Sequence, residues 1–220
     1  MLRTQRTKQL TTLAMMAAMA FIVTFVSKGF PNMVLFLSYD PKDIILAITG
    51  FIYGPFSAFL VSFLVSLLEM FTLSKTGIIG FFMNVLASMA FVAPAALIYK
   101  KNRTLKGAVY GLVLGVFFMT GVMILWNYII TPYYMGVPRE QVVGLLIPAI
   151  LPFNLIKGAL NAALTMIIYK PVVDILRKTH LIPQLQRGAE ETHSRTGIFL
   201  VSLLVIATSI LVVMIIQGKF

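Results

Sequence analysis

Long apolar stretches separated by short polar segments dominate this chain. A helix crosses the bilayer with about 20 residues, at about 1.5 Å per residue. Uncharged runs on this scale cover residues 10–27, 44–68, 76–99, 107–137, 141–156 with a continuation to 169, and 196–217. They do not alternate polar and apolar residues, as the strands of a membrane barrel would. The pattern therefore predicts an all-α integral membrane protein.

The run at 44–68 fits either one long helix or two short helices interrupted at Gly54-Pro55, a pair typical of helix breaks. Charge favours the break. The N-terminal tail and the loop 100–106 are both strongly basic, and basic loops lie in the cytoplasm. An even number of crossings must separate them, which requires a turn at Gly54-Pro55. The sequence thus predicts a six-helix domain at 1–178, a polar linker at 179–195 and an additional C-terminal membrane helix at 196–220.

The same topology predicts a multi-pass protein of the cell membrane with a cytoplasmic N terminus. Four basic residues then lie on the outer side of the membrane: Lys28, Lys42, Lys75 and Arg139. Twelve basic residues then lie on the cytoplasmic side: Arg3, Arg6, Lys8, Lys100, Lys101, Arg103, Lys106, Lys170, Arg177, Lys178, Arg187 and Arg195. A cleavable signal peptide is the alternative for the N terminus, but its apolar run is long enough to span and continues past Ala18 and Ala20.

The composition argues against a soluble domain, a nucleic-acid-binding protein and an ATPase. Charged residues make up 11% of the chain, against about 25% in soluble domains. The net charge of +11 lies in short patches between apolar runs, which indicates topology rather than nucleic-acid binding. The chain has no cysteine, and we expect neither a metal nor a cofactor. It also lacks a phosphate-binding P-loop, so active transport would need an ATPase partner.

Lys157 is the most informative polar residue, because a lysine in mid-bilayer costs about 2.5–3.5 kcal/mol on insertion scales. Asn154, Lys157 and Asn161 have i, i+3, i+7 spacing and share one face of a helix. An amide beside an ammonium suits a ligand with adjacent carbonyl and N–H groups, such as an amide-edged heterocycle. The stripe therefore predicts part of a ligand site.

Further polar residues fall in the outer half of their helices on the predicted topology: Glu69, Asn84 and Asn127. Together with the Lys157 stripe they predict a pocket open to the outside. The loop 29–42, with Phe36, Tyr39, Asp40 and the adjacent Asp43, and the segment 133–139 would cover it. Rings such as Trp126 and Phe153 could stack on a flat ligand. Interfacial belts also explain such aromatic residues.

Two alternatives remain open from the residues themselves. The polar groups could simply join neighbouring helices, with Lys157 paired to Glu69, since such contacts contribute about 0.6 kcal/mol each. An intramembrane enzyme using Glu69 and Lys157 as acid and base is conceivable, but no nucleophile or metal set accompanies them. The protease-like spacing in 190–195 lies in the linker, and no histidine in the helices completes a site.

Four segments resemble one known family. They are the small-residue pair Ala14 and Ala18, the loop LSYDPKDI at 37–44, the sequence WNYIITPYY at 126–134 and the sequence LPFNLIKG at 151–158. Over about residues 8–178 the chain resembles the substrate-binding S components of energy-coupling factor (ECF) vitamin transporters, most closely their riboflavin-specific members. The C-terminal run departs from that pattern.

The resemblance implies a six-helix, non-enzymatic subunit that binds a vitamin from outside and docks onto a transmembrane T subunit with two ATPases. It implies that Asn127, Asn154 and Lys157 bond the polar edge of the riboflavin ring, while Ala14 and Ala18 face the T subunit. FMN, thiamine, biotin and a folate remain alternative ligands.

Overall fold

The computed structural model describes residues 2–30, 32–33, 37–74, 76–181 and 192–216. The described residues are almost entirely helical and contain no β-strand. The helices are α1 (Leu2–Ser27), α2 (Lys42–Tyr53), α3 (Pro55–Thr72), α4 (Gly77–Lys101), α5 (Leu105–Ile129), α6 (Thr131–Met135), α7 (Arg139–Leu145), α8 (Leu151–Lys178) and α9 (Thr192–Ile216). A π-helical turn, Leu146–Ile150, joins α7 to α8. The all-α prediction is confirmed.

Within the described part of the chain, five segments are long and apolar enough to cross a membrane: Gln5–Ser27, Pro55–Thr72, Gly77–Lys101, Leu105–Ile129 and Arg139–Lys178. A shorter apolar stretch, Phe199–Ile215, lies within α9. The helix α2 has 12 residues, or about 18 Å, against about 30 Å of hydrocarbon. It therefore cannot cross the bilayer alone and begins inside the bundle.

The predicted interruption between α2 and α3 is confirmed. Gly54 separates the two helices with φ of 90°, a conformation that residues with a Cβ rarely adopt. Pro55 then occupies the first position of α3, where its missing N–H removes no helical hydrogen bond. The pair forms a tight reversal, so the beginning of α2 and the end of α3 lie at the same end of the bundle.

Close packing of α4 against α5 depends on small residues. Gly107, Gly111 and Gly115 repeat every fourth residue along α5, and a Cβ at Gly111 would lie 2.9 Å from the Ala95 Cα. Helices that approach this closely in a membrane gain van der Waals contact. The side chain of Thr104 caps the start of α5 by accepting the Gly107 N–H at 3.1 Å.

The chain directions bring the polar segments of the sequence to one end of the bundle, which we call the loop end. It holds the end of α1, the start of α2, the end of α3, the start of α4, the end of α5 and the start of α8. The helix α8 packs against α2 and α5, and α9 packs against α8. Residues 182–191 of the predicted linker lie outside the described residues, and the division into a six-helix domain and an appended helix stays a prediction.

Candidate ligand-binding site

The first turn of α2 carries charges into the protein. Lys42 and Asp43 are 1% and 0% exposed, and Asp40, just before the helix, is 6% exposed. Lys42, which the topology count placed on the outer side of the membrane, has a buried side chain at the start of α2, and the side on which it lies stays a prediction. These residues are buried because α2 is short and begins within the bundle, so the residues just before it also lie inside the protein.

A first cluster surrounds Lys42. Its Nζ lies 2.5 Å from Asp40 Oδ2 and 2.9 Å from Glu69 Oε2. At the rim, Lys28 Nζ lies 3.2 Å from Glu69 Oε1. Asn84 Nδ2 donates to Glu69 Oε2 at 3.0 Å. These two residues, which the predicted topology placed in the outer half of their helices, are therefore in contact. The cluster joins α1, α2, α3 and α4.

A second cluster surrounds Asp43. Ser88 Oγ donates to Asp43 Oδ1 at 2.5 Å, and Asn161 Nδ2 donates to Oδ2 at 3.3 Å. Lys157 Nζ lies 3.6 Å from the same Oδ2. Tyr39 donates its hydroxyl to Asn161 Oδ1 at 2.7 Å. This cluster joins α2, α4 and α8 to the residues before α2.

Formal charges cancel across the two clusters. Three ammonium groups face three carboxylates among the described residues: Lys28, Lys42 and Lys157 with Asp40, Asp43 and Glu69. Buried ions in hydrocarbon are tolerated when they are paired and hydrogen-bonded in this way. The clusters together therefore form a nearly neutral polar site inside the bundle.

Two groups before α2 keep defined protonation states. Burial alone would raise the pKa of Asp40, but the charges of Lys42 and Lys157 outweigh it and hold that pKa well below its usual range. Burial chiefly raises the pKa of Tyr39, and the charges of Asp43 and Asp40 add to the effect. Asp40 is therefore ionised, and Tyr39 remains a hydrogen-bond donor.

The other predicted site residues lie on neighbouring packed helices. Asn127 donates to the Met123 carbonyl at 2.7 Å and accepts from Thr131 Oγ1 at 2.9 Å. Asn154 donates to the Ile150 carbonyl at 2.8 Å. Both side chains are buried, and these bonds join only residues within one helical turn of each other. Their role in binding stays a prediction.

Apolar surface accompanies these groups at the loop end. Phe153 is buried in a small cluster with Ala149, and Met33 and Leu37 pack against it. A cavity of about 40 Å³ opens nearby, lined by Thr76, Ile79, Gly80, Met83, Trp126, Ile130, Thr131 and Tyr134. Typical ligand pockets measure about 300–1,000 Å³, so this cavity marks an opening between α4 and α5 rather than a full ligand site.

The alternative pairing of Lys157 with Glu69 is wrong, since Lys157 faces Asp43 and Glu69 binds Lys42 and Lys28. Lys157 retains 12% exposure and is not fully enclosed. Phe36 and most of the protease-like segment 190–195 lie outside the described residues. Ala14 and Ala18 are exposed on α1, away from both clusters, and their partner role stays a prediction.

Asp43 was predicted only as part of the loop that covers the pocket, and not as a residue that binds the ligand. A charged residue beside Pro41 and Lys42 is typical of an exposed loop, so no local pattern indicates that Asp43 is buried. Asn161 differs, because its i+7 spacing from Asn154 placed it on the polar stripe. Asp43 lies in the middle of the second cluster because α2 begins inside the bundle.

Comparison with known proteins identifies the family. A model described as "ECF transporter, substrate-specific component" matches residues 8–169. The chain belongs to this family. It is 28% identical over 183 residues to the riboflavin transporter RibU of Staphylococcus aureus (strain TCH60), covering 80% of this chain and 96% of that protein. It is 32% identical over 182 residues to RibU of Streptococcus thermophilus, covering 78% and 86%.

A solved structure, described as "Structure and mechanism of the S component of a bacterial ECF transporter", has the same fold. Its TM-score is 0.67 at 30% identity, and the match covers 78% of this chain and 99% of the other. The riboflavin transporter FmnP of Bacillus subtilis (strain 168) is 28% identical over 188 residues. These relatives are transporters rather than enzymes. The chain is therefore a substrate-specific component of a transporter and a multi-pass membrane protein.

Proposed function

We propose that this S component captures riboflavin at the loop end of the bundle, on the extracellular side. The observation that carries the proposal is Lys157, whose side chain is 12% exposed and whose Nζ lies 3.6 Å from its carboxylate partner within a charge-balanced polar site. The names of the relatives at 28% and 32% identity support the same ligand.

A neutral, flat heterocycle suits this arrangement chemically. The amides of Asn127 and Asn154 and the ammonium of Lys157 offer donors, and the amides also offer acceptors, for a ring edge of alternating carbonyl and N–H groups. Phe153 and Trp126 supply aromatic surface for the ring faces. A neutral ligand leaves the three ammonium groups and three carboxylates balanced, whereas the phosphate of FMN or the carboxylate of biotin or folate would add an unpaired charge.

Ligand entry requires local expansion at the loop end. The cavity of about 40 Å³ beside Trp126 and Thr131 is far smaller than a tricyclic ring needs. We infer that Met33 and Leu37, which pack on Phe153, move outward to admit the vitamin, while Tyr39 and Asp40 keep their polar contacts. Their apolar contact is small, so this displacement costs less than separating the transmembrane helices.

Binding to purified protein tests the proposal. Protein purified in detergent from riboflavin-limited cells is titrated with riboflavin, and quenching of the flavin and Trp126 fluorescence is followed. We expect saturable one-to-one binding, displaced weakly or not at all by thiamine, biotin and a folate. Protein that gives no fluorescence response to added riboflavin would refute the assignment, and displacement of riboflavin by another vitamin in the panel would replace it.

Delivery to the cytoplasm is proposed to need the T subunit and two ATPases implied by the family. The sequence has no phosphate-binding P-loop of its own. Reconstitution with those subunits in vesicles is expected to give riboflavin uptake only with ATP. Uptake by the isolated chain would contradict this dependence.

A further inference from the structure

We propose that Asp43 is the positioning residue for Lys157 in the ligand site, an inference that rests on the proposed function. Asp43 is fully buried in the first turn of α2, and Lys157 lies across from it on α8. The two carboxylates that could serve Lys157 are Asp43 and Asp40. The contacts of each decide between them.

Asp40 is committed elsewhere. It accepts from Lys42 Nζ at 2.5 Å, and the remaining carboxylate near Lys42, Glu69, is balanced by Lys28 at the rim. Two cations and two carboxylates are thus matched within the first cluster. Asp43 is the carboxylate left for Lys157, and its Oδ2 is the atom within ion-pair distance, at 3.6 Å.

The carboxylate of Asp43 is itself held rigidly. Ser88 Oγ donates to Oδ1 at 2.5 Å and Asn161 Nδ2 to Oδ2 at 3.3 Å, so helices α4 and α8 both fix its orientation. An acid in the first turn of a helix is also favoured by the helix dipole. The negative charge that faces Lys157 therefore has a defined place before any ligand arrives.

The distance between the two groups leaves the ammonium available. A charge-assisted N–H···O bond measures about 2.7–2.9 Å, and 3.6 Å is longer than this. An ammonium has three N–H donors, so attraction by one carboxylate keeps the group in place while other donors remain for a ligand carbonyl. Asp43 thus orients the Lys157 ammonium and leaves N–H donors of that group available for a ligand.

A double-mutant cycle tests this role. Riboflavin dissociation constants are measured for the wild type, Asp43→Asn, Lys157→Met and the double variant. We expect Asp43→Asn to weaken binding about tenfold, equivalent to about 1.4 kcal/mol, in the wild-type background. In the Lys157→Met background the same substitution is expected to have no further effect. Equal losses in both backgrounds, or no loss in the wild type, would overturn the inference.

Matched controls separate positioning from folding. Glu140→Gln makes the same chemical change at an exposed acid of α7 and is expected to leave the dissociation constant unchanged. If Asp43→Asn fails to fold, Ser88→Ala serves instead, because it removes one hydrogen bond that orients Asp43 and keeps the Asp43 charge. Ser88→Ala is expected to weaken riboflavin binding severalfold, and only when Lys157 is present. An effect of Ser88→Ala that does not depend on Lys157 would also overturn the inference. Wild-type protein that binds no riboflavin would instead refute the proposed function.

Discussion

Lys42 Nζ lies 2.9 Å from Glu69 Oε2, and each of these side chains is 1% exposed. The pair connects the first turn of α2 to the last turns of α3, and Asp40 completes it from the other side at 2.5 Å. Buried ion pairs are costly to break, because removing one partner leaves the other charge without compensation. The stability of the loop end therefore depends on Lys42.

Lys42→Met is expected to destabilise the protein by about 3–5 kcal/mol, because Asp40 and Glu69 lose their central cation. The midpoint of SDS-induced unfolding measures the effect. Adding Asp40→Asn restores the balance of charges and is expected to recover part of the loss. Lys28→Gln, at a cation 36% exposed, is the control and should cost less than about 1 kcal/mol. A similar cost for Lys28 and Lys42 would contradict this account.

Acid is expected to weaken the fold partly through Asp40. Its pKa is lower in the folded protein than the value of about 3.9 in an unfolded chain. The stability it contributes is therefore fully present well above pH 4 and is lost as the pH falls below about 4. Asp40→Asn should lower stability at neutral pH and flatten the decline between about pH 5 and pH 3. Unfolding midpoints across this range, with Glu140→Gln as control, test it; an unchanged slope in Asp40→Asn would exclude the role.

Lys157→Ala is expected to raise the riboflavin dissociation constant by about 30-fold or more, the range for truncating one partner of a buried charge pair. Expression and the elution profile of the protein should be retained. Lys106→Ala, at an exposed lysine of α5 away from the loop end, is the control and should bind normally. Unchanged affinity in Lys157→Ala would remove this lysine from the site.

Ala14→Trp combined with Ala18→Trp is expected to spare riboflavin binding and abolish uptake. Both residues are exposed on α1, outside the two polar clusters, so bulky rings there should block partner docking alone. Binding is measured by fluorescence and uptake in cells that carry the coupling subunits. Val113→Trp, at a position 47% exposed on α5, is the control. Normal uptake in the double variant would exclude this face of α1 from the partner interface.

The long helices could be predicted from the sequence because a full crossing of the bilayer requires about 20 mostly apolar residues. The break at Gly54-Pro55 followed from charge counting combined with two residues that interrupt helices. The Lys157 stripe was visible for a similar reason: a cation within an apolar run has few explanations.

Pairing between helices could not be predicted in the same way. Lys42 and Glu69 are 27 positions apart, and nothing local distinguishes Lys42 from an exposed loop lysine. The contact exists because α2 is too short to reach the surface. The position at which α2 begins within the bundle depends on how all the helices pack, which a single sequence does not reveal. The contacts of Asp43 with Ser88 on α4 and Asn161 on α8 depend on the same packing.

The balance of three ammonium groups against three carboxylates has an electrical consequence. Moving one elementary charge through the membrane field is worth about 2.3 kcal/mol per 100 mV. A binding site of zero formal charge, holding an uncharged vitamin, experiences no such work. Its displacement along the membrane normal would be electrically silent, and riboflavin capture should be insensitive to voltage.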